Sequence, residues 1–383
     1  MRGFDQLARR EAPKLLEKVT GLPVRVEEAP NRKRGVEGPD FALRAGDYTF
    51  LVEVKSSSAA GPVDLAVQHL KKLLPKGRKN TIPLLVVPYM GNTGWAKCLE
   101  ADVSWLDLSG NARIKAPGLI IGLQVYPNRF KGKGRPSTAF APKSSRVARW
   151  LLLHPQAPVT QREIARSTGL GEGFVSRIVA RLSEEGYVVR MGADGEGEGD
   201  GTGFGGGSAP GAGEGDGSGD GHSRSLPLRV RDPALLLGAW REAYDFSKHQ
   251  IIAGHIAARS SEQLLHDLTR AFSKGKIPYA VTGLAGASLY SRFAQYRLVT
   301  VYVSAFPEDE FLKKIGFRAE EQGANVWLVI PNDEGVFAGS QEREGIRCVS
   351  PLQVYLDLKG HPERAAEAAA ELRHEFLNLV NHA

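Results

Sequence analysis

A regular spacing of apolar residues between positions 175 and 182 predicts an amphipathic helix. The apolar stripe recurs at i, i+3, i+4 and i+7 and consists of Val175, Ile178, Val179 and Leu182. Three polar or basic residues lie off the stripe, on the side that is free to contact a partner: Ser176, Arg177 and Arg181. A helix with one apolar and one basic face is typical of nucleic-acid recognition helices.

The segments around this helix complete a winged helix-turn-helix. Residues 160–163 have the spacing of a capping box and begin a short helix. Gly169 then supplies a turn before the amphipathic helix. Strand-like runs follow at 186–190 and 226–230. We therefore predict a winged helix-turn-helix over residues 144–244, in which Ser176, Arg177 and Arg181 contact DNA. The alternative is an ordinary helical hairpin with a basic surface.

Charge is distributed unevenly along the chain. Residues 1–145 contain 24 Lys and Arg against 13 Asp and Glu, whereas the net charge of the whole chain is only +7. A basic region of this kind favours a polyanionic partner such as DNA. Residues 191–224 hold seven acidic residues and one basic residue among many glycines, so we expect a disordered insertion at the tip of the wing. Residues 128–143 have the composition of a basic linker.

An alternating pattern near the N-terminus predicts a β-hairpin. Its strands are 41–44 and 48–52, and Gly46-Asp47 forms the turn. Paired residue numbers then sum to 93, so Asp40 lies opposite Glu53. Lys55 lies two residues beyond Glu53 and therefore projects from the same face of the hairpin.

Facing carboxylates repel each other, and a bound divalent cation removes that cost. Carboxylate oxygens at this separation suit Mg²⁺, which can polarise a phosphate and lower the pKa of a water. Lys55 can position or activate that water. The alternative is a solvated edge hairpin with scattered charges, since a bare Asp…Glu-x-Lys pattern is common.

These residues resemble the signature of the PD-(D/E)xK restriction-endonuclease-like superfamily. The matching residues are Pro39, Asp40, Glu53 and Lys55. The resemblance implies that residues 1–127 form a mixed sheet with flanking helices. It further implies that Asp40 and Glu53 bind Mg²⁺, and that Lys55 completes the catalytic set.

The same resemblance implies two auxiliary residues and two further strands. Gln68, on the helix expected after Lys55, matches an auxiliary polar residue of some members. Glu11, on a first helix at 4–20, is either a further metal-site acid or a surface residue. Strands are expected at 81–87 and within 103–111. Because not every protein with this fold cleaves DNA, the fold and the activity are separate predictions.

Residues 245–383 alternate helices and strands, as in an α/β or α+β domain. Helices are predicted at 246–259, 261–274 and 362–378, strands at 298–303 and 324–330, and a strand, glycine turn and helix over 279–288. The runs 281–290 and 348–363 resemble the C-terminal domain of antitoxins from type IV toxin–antitoxin systems, the abortive-infection E class. Those antitoxins also repress their own operons, so the resemblance implies a regulatory role.

The C-terminal domain also resembles the nucleotidyltransferase fold, in which a Gly-Ser turn precedes a strand with paired carboxylates. Here the strand at 298–303 contains no acid. Without carboxylates a two-metal site is missing, so we expect a catalytically silent domain for partner binding or assembly. Gly283 and Gly286 suit either a bound phosphate or, more simply, a tight turn.

The sequence also predicts where the protein works. No apolar run reaches the ~18 residues that a membrane span needs, and charges interrupt the N-terminus where a signal peptide would be apolar. Cys98 and Cys348 are too few for a disulfide framework or a metal site. We expect a cytoplasmic protein. The oligomeric state stays open, with a dimer among the options.

Two functions are compatible with these patterns. The first is a Mg²⁺-dependent DNA nuclease whose winged helix selects the site. The second is a non-catalytic transcriptional regulator, or an antitoxin-like protein of a type IV toxin–antitoxin or phage-defence system, with a nucleotidyltransferase-type toxin as partner. The predicted fold class is multidomain α/β: a restriction-endonuclease-like sheet, a winged helix-turn-helix and a nucleotidyltransferase-like α+β domain.

Overall fold

The computed structural model describes residues 2–28, 38–74, 80–130, 139–155, 158–191, 226–291, 296–362 and 365–382. Within these ranges the chain forms two seven-stranded sheets, with a winged-helix region between them in sequence. This confirms a multidomain α/β architecture with mixed sheets. The predicted disordered insertion lies outside the described residues except for Met191, as do residues 131–138 of the predicted linker.

The first sheet contains seven strands in chain order. They are Val24–Glu27 (β1), Phe41–Ala45 (β2), Tyr48–Val54 (β3), Thr81–Val87 (β4), Ser104–Asp107 (β5), Ala112–Ala116 (β6) and Leu119–Leu123 (β7). The helices are Arg2–Thr20 (α1), Ala60–Leu73 (α2) and Asn92–Glu100 (α3). Strands β3, β4 and β5 are parallel neighbours, and the remaining pairs are antiparallel. The sheet is therefore mixed, as predicted.

Helices cover both faces of this sheet. Ala8, Ala12 and Leu16 of α1 pack into one apolar cluster with the sheet, whereas α2 and α3 pack into a second. Because both faces are covered, β4 is buried almost throughout and reads as a continuous apolar run. In the hairpin Phe41 pairs with Val52, which is the predicted register.

The winged-helix region contains three helices followed by a two-stranded wing and a fourth helix. The elements are Ser145–Leu153 (α4), Gln161–Thr168 (α5), Glu172–Glu184 (α6), Val188–Arg190 (β8), Leu228–Val230 (β9) and Pro233–Ala243 (α7). Strands β8 and β9 are antiparallel, and Val159 forms an isolated bridge to Leu228. The predicted helices and strands of the winged helix-turn-helix are present among the described residues.

The second sheet has the strand order β13-β10-β14-β12-β11-β16-β15. Its strands are Gln250–His255 (β10), Tyr279–Thr282 (β11), Val299–Val303 (β12), Arg318–Ala319 (β13), Val326–Ile330 (β14), Gln341–Arg343 (β15) and Ile346–Cys348 (β16). The helices are Ser261–Lys274 (α8), Gly283–Ser288 (α9), Asp309–Lys314 (α10), Pro351–Asp357 (α11) and Ala365–His382 (α12), with short 3-10 helices at Phe246–Lys248 and Glu334–Phe337.

One predicted element of this region is wrong. The sequence predicts a helix over 246–259, but the chain forms a 3-10 turn and then β10. β10 is held between β13 and β14, which come more than 60 residues later in the chain. A side chain at Gly254 would meet the Phe317 ring at 2.2 Å, so the glycine permits a close approach that a helix does not need. Distant partners therefore override the local pattern.

The winged helix contacts the first sheet unit through α2. The backbone of Gly61 lies against the turn that follows α6, so close that a Cβ would stand 1.7 Å from the carbonyl oxygen of Glu185. Nearby, Arg231 Nη2 lies 3.0 Å from Asp64 Oδ2. Only glycine allows this approach of two backbones.

The winged helix also contacts the C-terminal unit. Arg146 of α4 binds Asp333 through two hydrogen bonds of 2.8 and 2.7 Å. Residues of α4, α7 and α11 share one hydrophobic core. In the described part of the chain, no helix combines the length and the apolar character that crossing a membrane requires.

Candidate nucleic-acid interface

The start and end of α5 are fixed by the predicted local signals. Thr160 Oγ1 accepts the backbone N–H of Glu163 at 3.2 Å, and Glu163 Oε2 accepts the backbone N–H of Thr160 at 2.7 Å. The Glu163 carboxylate accepts from both the backbone N–H and the hydroxyl of Thr160, and these two hydrogen bonds lower the pKa of Glu163. Gly169 ends the helix with a φ of 66°, a left-handed conformation that suits glycine. The capping box and the turn together set the angle at which α6 leaves α5.

The two faces of α6 differ in burial as the sequence predicts. Val175, Val179 and Leu182 are fully buried, and Ile178 is half-buried. On the opposite face Ser176 and Arg177 are exposed. The guanidinium of Arg177 lies 5.8 Å from the centre of the Phe174 ring, one turn earlier. This face presents a hydroxyl and a positive charge, the donors that bind phosphates and base edges.

Arg181 is exposed on the same helix, but its charge is partly used within the protein. Its Nε lies 2.6 Å from Glu185 Oε1, and its Nη1 lies 3.8 Å from Glu184 Oε2. Of the three predicted DNA contacts, Ser176 and Arg177 are therefore better placed than Arg181. The sequence alone places Arg181 and Glu185 four residues apart, the spacing at which opposite charges pair along a helix.

The wing adds basic residues that the sequence analysis did not single out. Arg190 of β8 and Arg229 of β9 are exposed, and so are Arg162 and Arg166 of α5. Arg162 Nε lies 3.3 Å from Glu172 Oε1 at the start of α6. Exposed arginines on a wing and on the helix before the recognition helix are suited to contact the DNA backbone. For Arg229, its position between the buried Leu228 and Val230 is the signal that could have identified it.

The predicted nuclease residues are arranged differently. Glu53 is only 6% exposed, and both carboxylate oxygens have partners: Lys55 Nζ at 2.8 Å and His69 Nδ1 at 3.2 Å. Asp40 is exposed, and its Oδ2 accepts the backbone N–H of Val54 at 2.7 Å. Strand pairing in the hairpin ends at Phe41 and Val52, so Asp40 stands just beyond β2.

The two predicted auxiliary residues do not contact Glu53. Gln68 is exposed on α2, and its amide donates to Asp64 Oδ2 at 2.9 Å. Glu11 on α1 pairs with Arg10 and Lys14, and the hydrogen bond from Arg10 lowers its pKa. The residue that α2 directs at Glu53 is His69, which the sequence analysis missed because the contact depends on the rotation of α2 about its axis.

The donor set at Glu53 determines how a Mg²⁺ ion could be held. Asp40 and Glu53 would supply its carboxylate ligands, and the cation would share the oxygens of Glu53 with Lys55 and His69, which already bind them. Among the residues that the structure describes, no three His, Cys, Asp or Glu side chains come together in a group that could hold a metal. When bound, such an ion would polarise a phosphate.

Packing against neighbouring side chains explains why glycine occupies the two positions singled out in the C-terminal unit. Gly283 has a φ of 62°, and a Cβ there would meet His361 Nε2 at 2.7 Å. Gly286 lies against Val354 and Cys348. Close contact with neighbouring side chains requires these residues to be small, in agreement with the tight-turn interpretation.

A buried carboxylate lies beneath this turn. Asp357 is fully buried and accepts hydrogen bonds from Thr282 at 2.5 Å, Tyr302 at 3.0 Å and Gln353 at 2.5 Å, and also from Tyr244. Burial raises the pKa of Asp357 to about 6. The site is a closed network of neutral donors around one acid.

Comparison with protein-family models finds a match in the winged-helix region. A model described as MarR family matches residues 141–197 of the 383-residue chain. The matched segment contains α4, α5, α6 and β8. No curated protein and no solved structure matches the chain. The match supports a winged-helix DNA-binding domain at this position.

Proposed function

We propose that the protein is a DNA-binding transcriptional regulator that reads duplex DNA with α6. The observation that carries the proposal is the MarR-family match over residues 141–197, in which Ser176 and Arg177 stand exposed on the outer face of α6. A recognition helix enters the major groove through such a face, while the wing contacts phosphates. Arg190 and Arg229 place positive charge on the wing.

The proposal is tested by protection of DNA from nuclease digestion. The purified full chain is incubated with the DNA upstream of its own gene and with a fragment of equal length and composition but shuffled order. We expect a protected site on the upstream DNA that survives competition by the shuffled fragment. Equal affinity for both fragments would contradict sequence-specific regulation.

An antitoxin-like role is the more specific form of this proposal. Its support is the resemblance of the runs 281–290 and 348–363 to type IV antitoxins. The expected partner is a nucleotidyltransferase-type toxin encoded by a neighbouring gene. Expression of that gene alone should arrest growth, and co-expression of this chain should relieve the arrest. Growth arrest that persists on co-expression, at the same toxin level as without this chain, would contradict the antitoxin role.

A Mg²⁺-dependent nuclease is the second candidate function. It is favoured by the PD-(D/E)xK resemblance and by the contact of the buried Glu53 with Lys55, two residues that the strand spacing places on one face. In this role Lys55 would balance the negative charge of the attacked phosphate and position or activate the attacking water. Plasmid DNA is incubated with the protein in Mg²⁺, Mn²⁺ or EDTA, beside Asp40→Ala and Lys55→Ala. Metal-dependent nicking that both variants lose supports the nuclease; no nicking by the unaltered chain contradicts it.

A further inference from the structure

The last strand of the first sheet, β7, is an edge strand without charged residues. Among the described residues it hydrogen-bonds with β6 alone, so its outer side presents backbone N–H and C=O groups that no described strand pairs. Residues 116–128, which include β7, contain no Asp, Glu, Lys or Arg. Ile120 and Val125 are the two most exposed large apolar side chains in the described part of the chain, at 81% and 70%.

The other three sheet edges carry exposed charges. β1, at the opposite edge of the same sheet, exposes Arg25 and Glu27. In the second sheet, Arg318 is exposed on the edge strand β13, and Glu342 and Arg343 are exposed on the edge strand β15. Charged side chains on an edge strand oppose its pairing with another chain. Of these four edges, β7 is therefore the one suited to accept a further strand.

The turn before β7 determines which backbone groups point outward. Ala116 pairs with Leu119 across a two-residue turn, and such a turn closes with a hydrogen-bonded pair. Because hydrogen-bonded and non-hydrogen-bonded pairs alternate, Ile121 also bonds to β6, whereas Ile120 and Gly122 direct their N–H and C=O groups away from it. These two residues therefore offer the backbone groups that an added strand would bind.

We propose that β7 pairs antiparallel with β7 of a second copy of this chain, so that the two first sheets form one continuous sheet. In the pairing centred on Ile121, this residue faces its own copy across the two-fold axis. Ile120 then lies opposite Gly122 of the second copy, and the two exchange backbone hydrogen bonds. A Cβ at Gly122 meets nothing within 4 Å, which leaves room for the Ile120 side chain.

The absence of charge from β7 favours a second copy as the partner. Near a two-fold axis each residue meets its own copy, so a charged residue there would face a like charge. A different partner of this basic part of the chain would be acidic and would gain from basic residues at the contact, which β7 lacks. Lys115 of β6, beside Ile120, is bound to Asp102 at 2.7 Å, so its charge is already balanced.

Pairing through β7 places two winged helices in one assembly. Two copies of α6 can contact two half-sites of a two-fold symmetric DNA site. This consequence rests on the proposed function as a regulator, whereas the interface itself does not.

The oligomeric state of the full chain tests the interface. Sedimentation velocity over a range of protein concentrations should show a dimer. Ile120→Lys places a charge beside the axis and should raise the dissociation constant of the dimer about tenfold or more. Val26→Lys is the matched control: Val26 is an exposed apolar residue of β1, the opposite edge strand, and its replacement should leave the dimer intact.

Cysteine cross-linking tests the pairing of residues. The native Cys98 and Cys348 are buried and do not compete. Ile121→Cys places two thiols opposite each other with Cα atoms ~4.5 Å apart, a distance that a disulfide spans. Ile120→Cys is the control, because its side chain is more exposed but its two copies lie about 7–8 Å apart, beyond that range. We expect oxidation to give a covalent dimer of Ile121→Cys and little of Ile120→Cys.

Three results would overturn the interface: an unaltered chain that is monomeric at all concentrations, a dimer that Ile120→Lys leaves intact, or faster cross-linking of Ile120→Cys than of Ile121→Cys. The role in DNA binding is tested separately, by comparing the protected DNA of the unaltered chain with that of Ile120→Lys. Identical protection contradicts the use of two half-sites. A dimer that depends on Ile120 but binds no DNA contradicts the proposed regulator and leaves the interface standing.

Discussion

The outer face of α6 and the Glu53 site both concentrate charged side chains, but they use them in different ways. On α6, Ser176 and Arg177 are exposed. At Glu53, both carboxylate oxygens are bound by side chains of the same chain, Lys55 and His69. Glu53 therefore already has partners within the chain, whereas the side chains of Ser176 and Arg177 stand open to solvent. This difference is the reason to place DNA binding before DNA cleavage.

Asp357 is a second buried carboxylate whose oxygens are bound within the chain. Unlike Glu53 it is surrounded by neutral donors, and burial raises its pKa to about 6 from an unfolded value near 3.8. The stability gained by keeping Asp357 neutral is fully present below about pH 4 and lost as the pH rises through about 6. The loss amounts to about 3 kcal/mol.

Asp357→Asn should remove this pH dependence. The free energy of unfolding of the unaltered chain, measured by urea denaturation from pH 4 to pH 7, should fall relative to that of the variant. Asp267→Asn, an exposed acid of α8, is the matched control and should run parallel to the unaltered chain. A constant difference between Asp357→Asn and the unaltered chain at all pH values would refute the titration.

The next largest change in stability is expected from a substitution at the contact between α2 and the winged helix. Gly61→Ala places a Cβ 1.7 Å from the carbonyl oxygen of Glu185, and backbone cannot yield as a side chain can. We expect a loss of about 1–3 kcal/mol of stability, measured by urea denaturation. Gly122→Ala is the control, because a Cβ there meets nothing within 4 Å. Equal stability of the two variants would show that the two regions do not touch at Gly61.

Loss of the capping box of α5, in the DNA-binding region, should have a smaller effect on stability. Thr160→Ala removes the hydrogen bond to the backbone of Glu163 and should cost about 1 kcal/mol. Thermal unfolding measures the change, with Ser304→Ala at an exposed position as control. An unaltered melting temperature for Thr160→Ala would mean that α5 does not depend on its cap.

The sequence predicts elements with local signals well. The start of α5 depends on Thr160 and Glu163, and its end on Gly169, all within ten residues of one another. By contrast, β10 forms because β13 and β14 pair with it, and neither partner is visible in its local pattern. The apolar period of an amphipathic helix therefore identifies α6. The local pattern of residues 246–259, by contrast, predicts a helix where a strand forms between distant partners.

The candidate sites show the same limit. Exposure of Ser176 and Arg177 follows from helical spacing alone. The contact of His69 with Glu53 depends on how α2 packs on the sheet. The predicted auxiliary residue, Gln68, directly precedes His69 in the sequence. The hydrogen bonds of Asp357 could not be predicted, because their donors Tyr244, Thr282 and Tyr302 come from segments that only the fold brings together.

DNA recognition by α6 is tested most directly by the affinity of the full chain for duplex DNA, measured by fluorescence anisotropy over a range of salt concentrations. Arg177→Glu reverses the charge on the outer face of α6 and should weaken binding about tenfold or more. Arg270→Glu reverses an exposed charge on α8 and should leave the affinity unchanged. Equal affinities of Arg177→Glu and the unaltered chain would contradict recognition of DNA by α6.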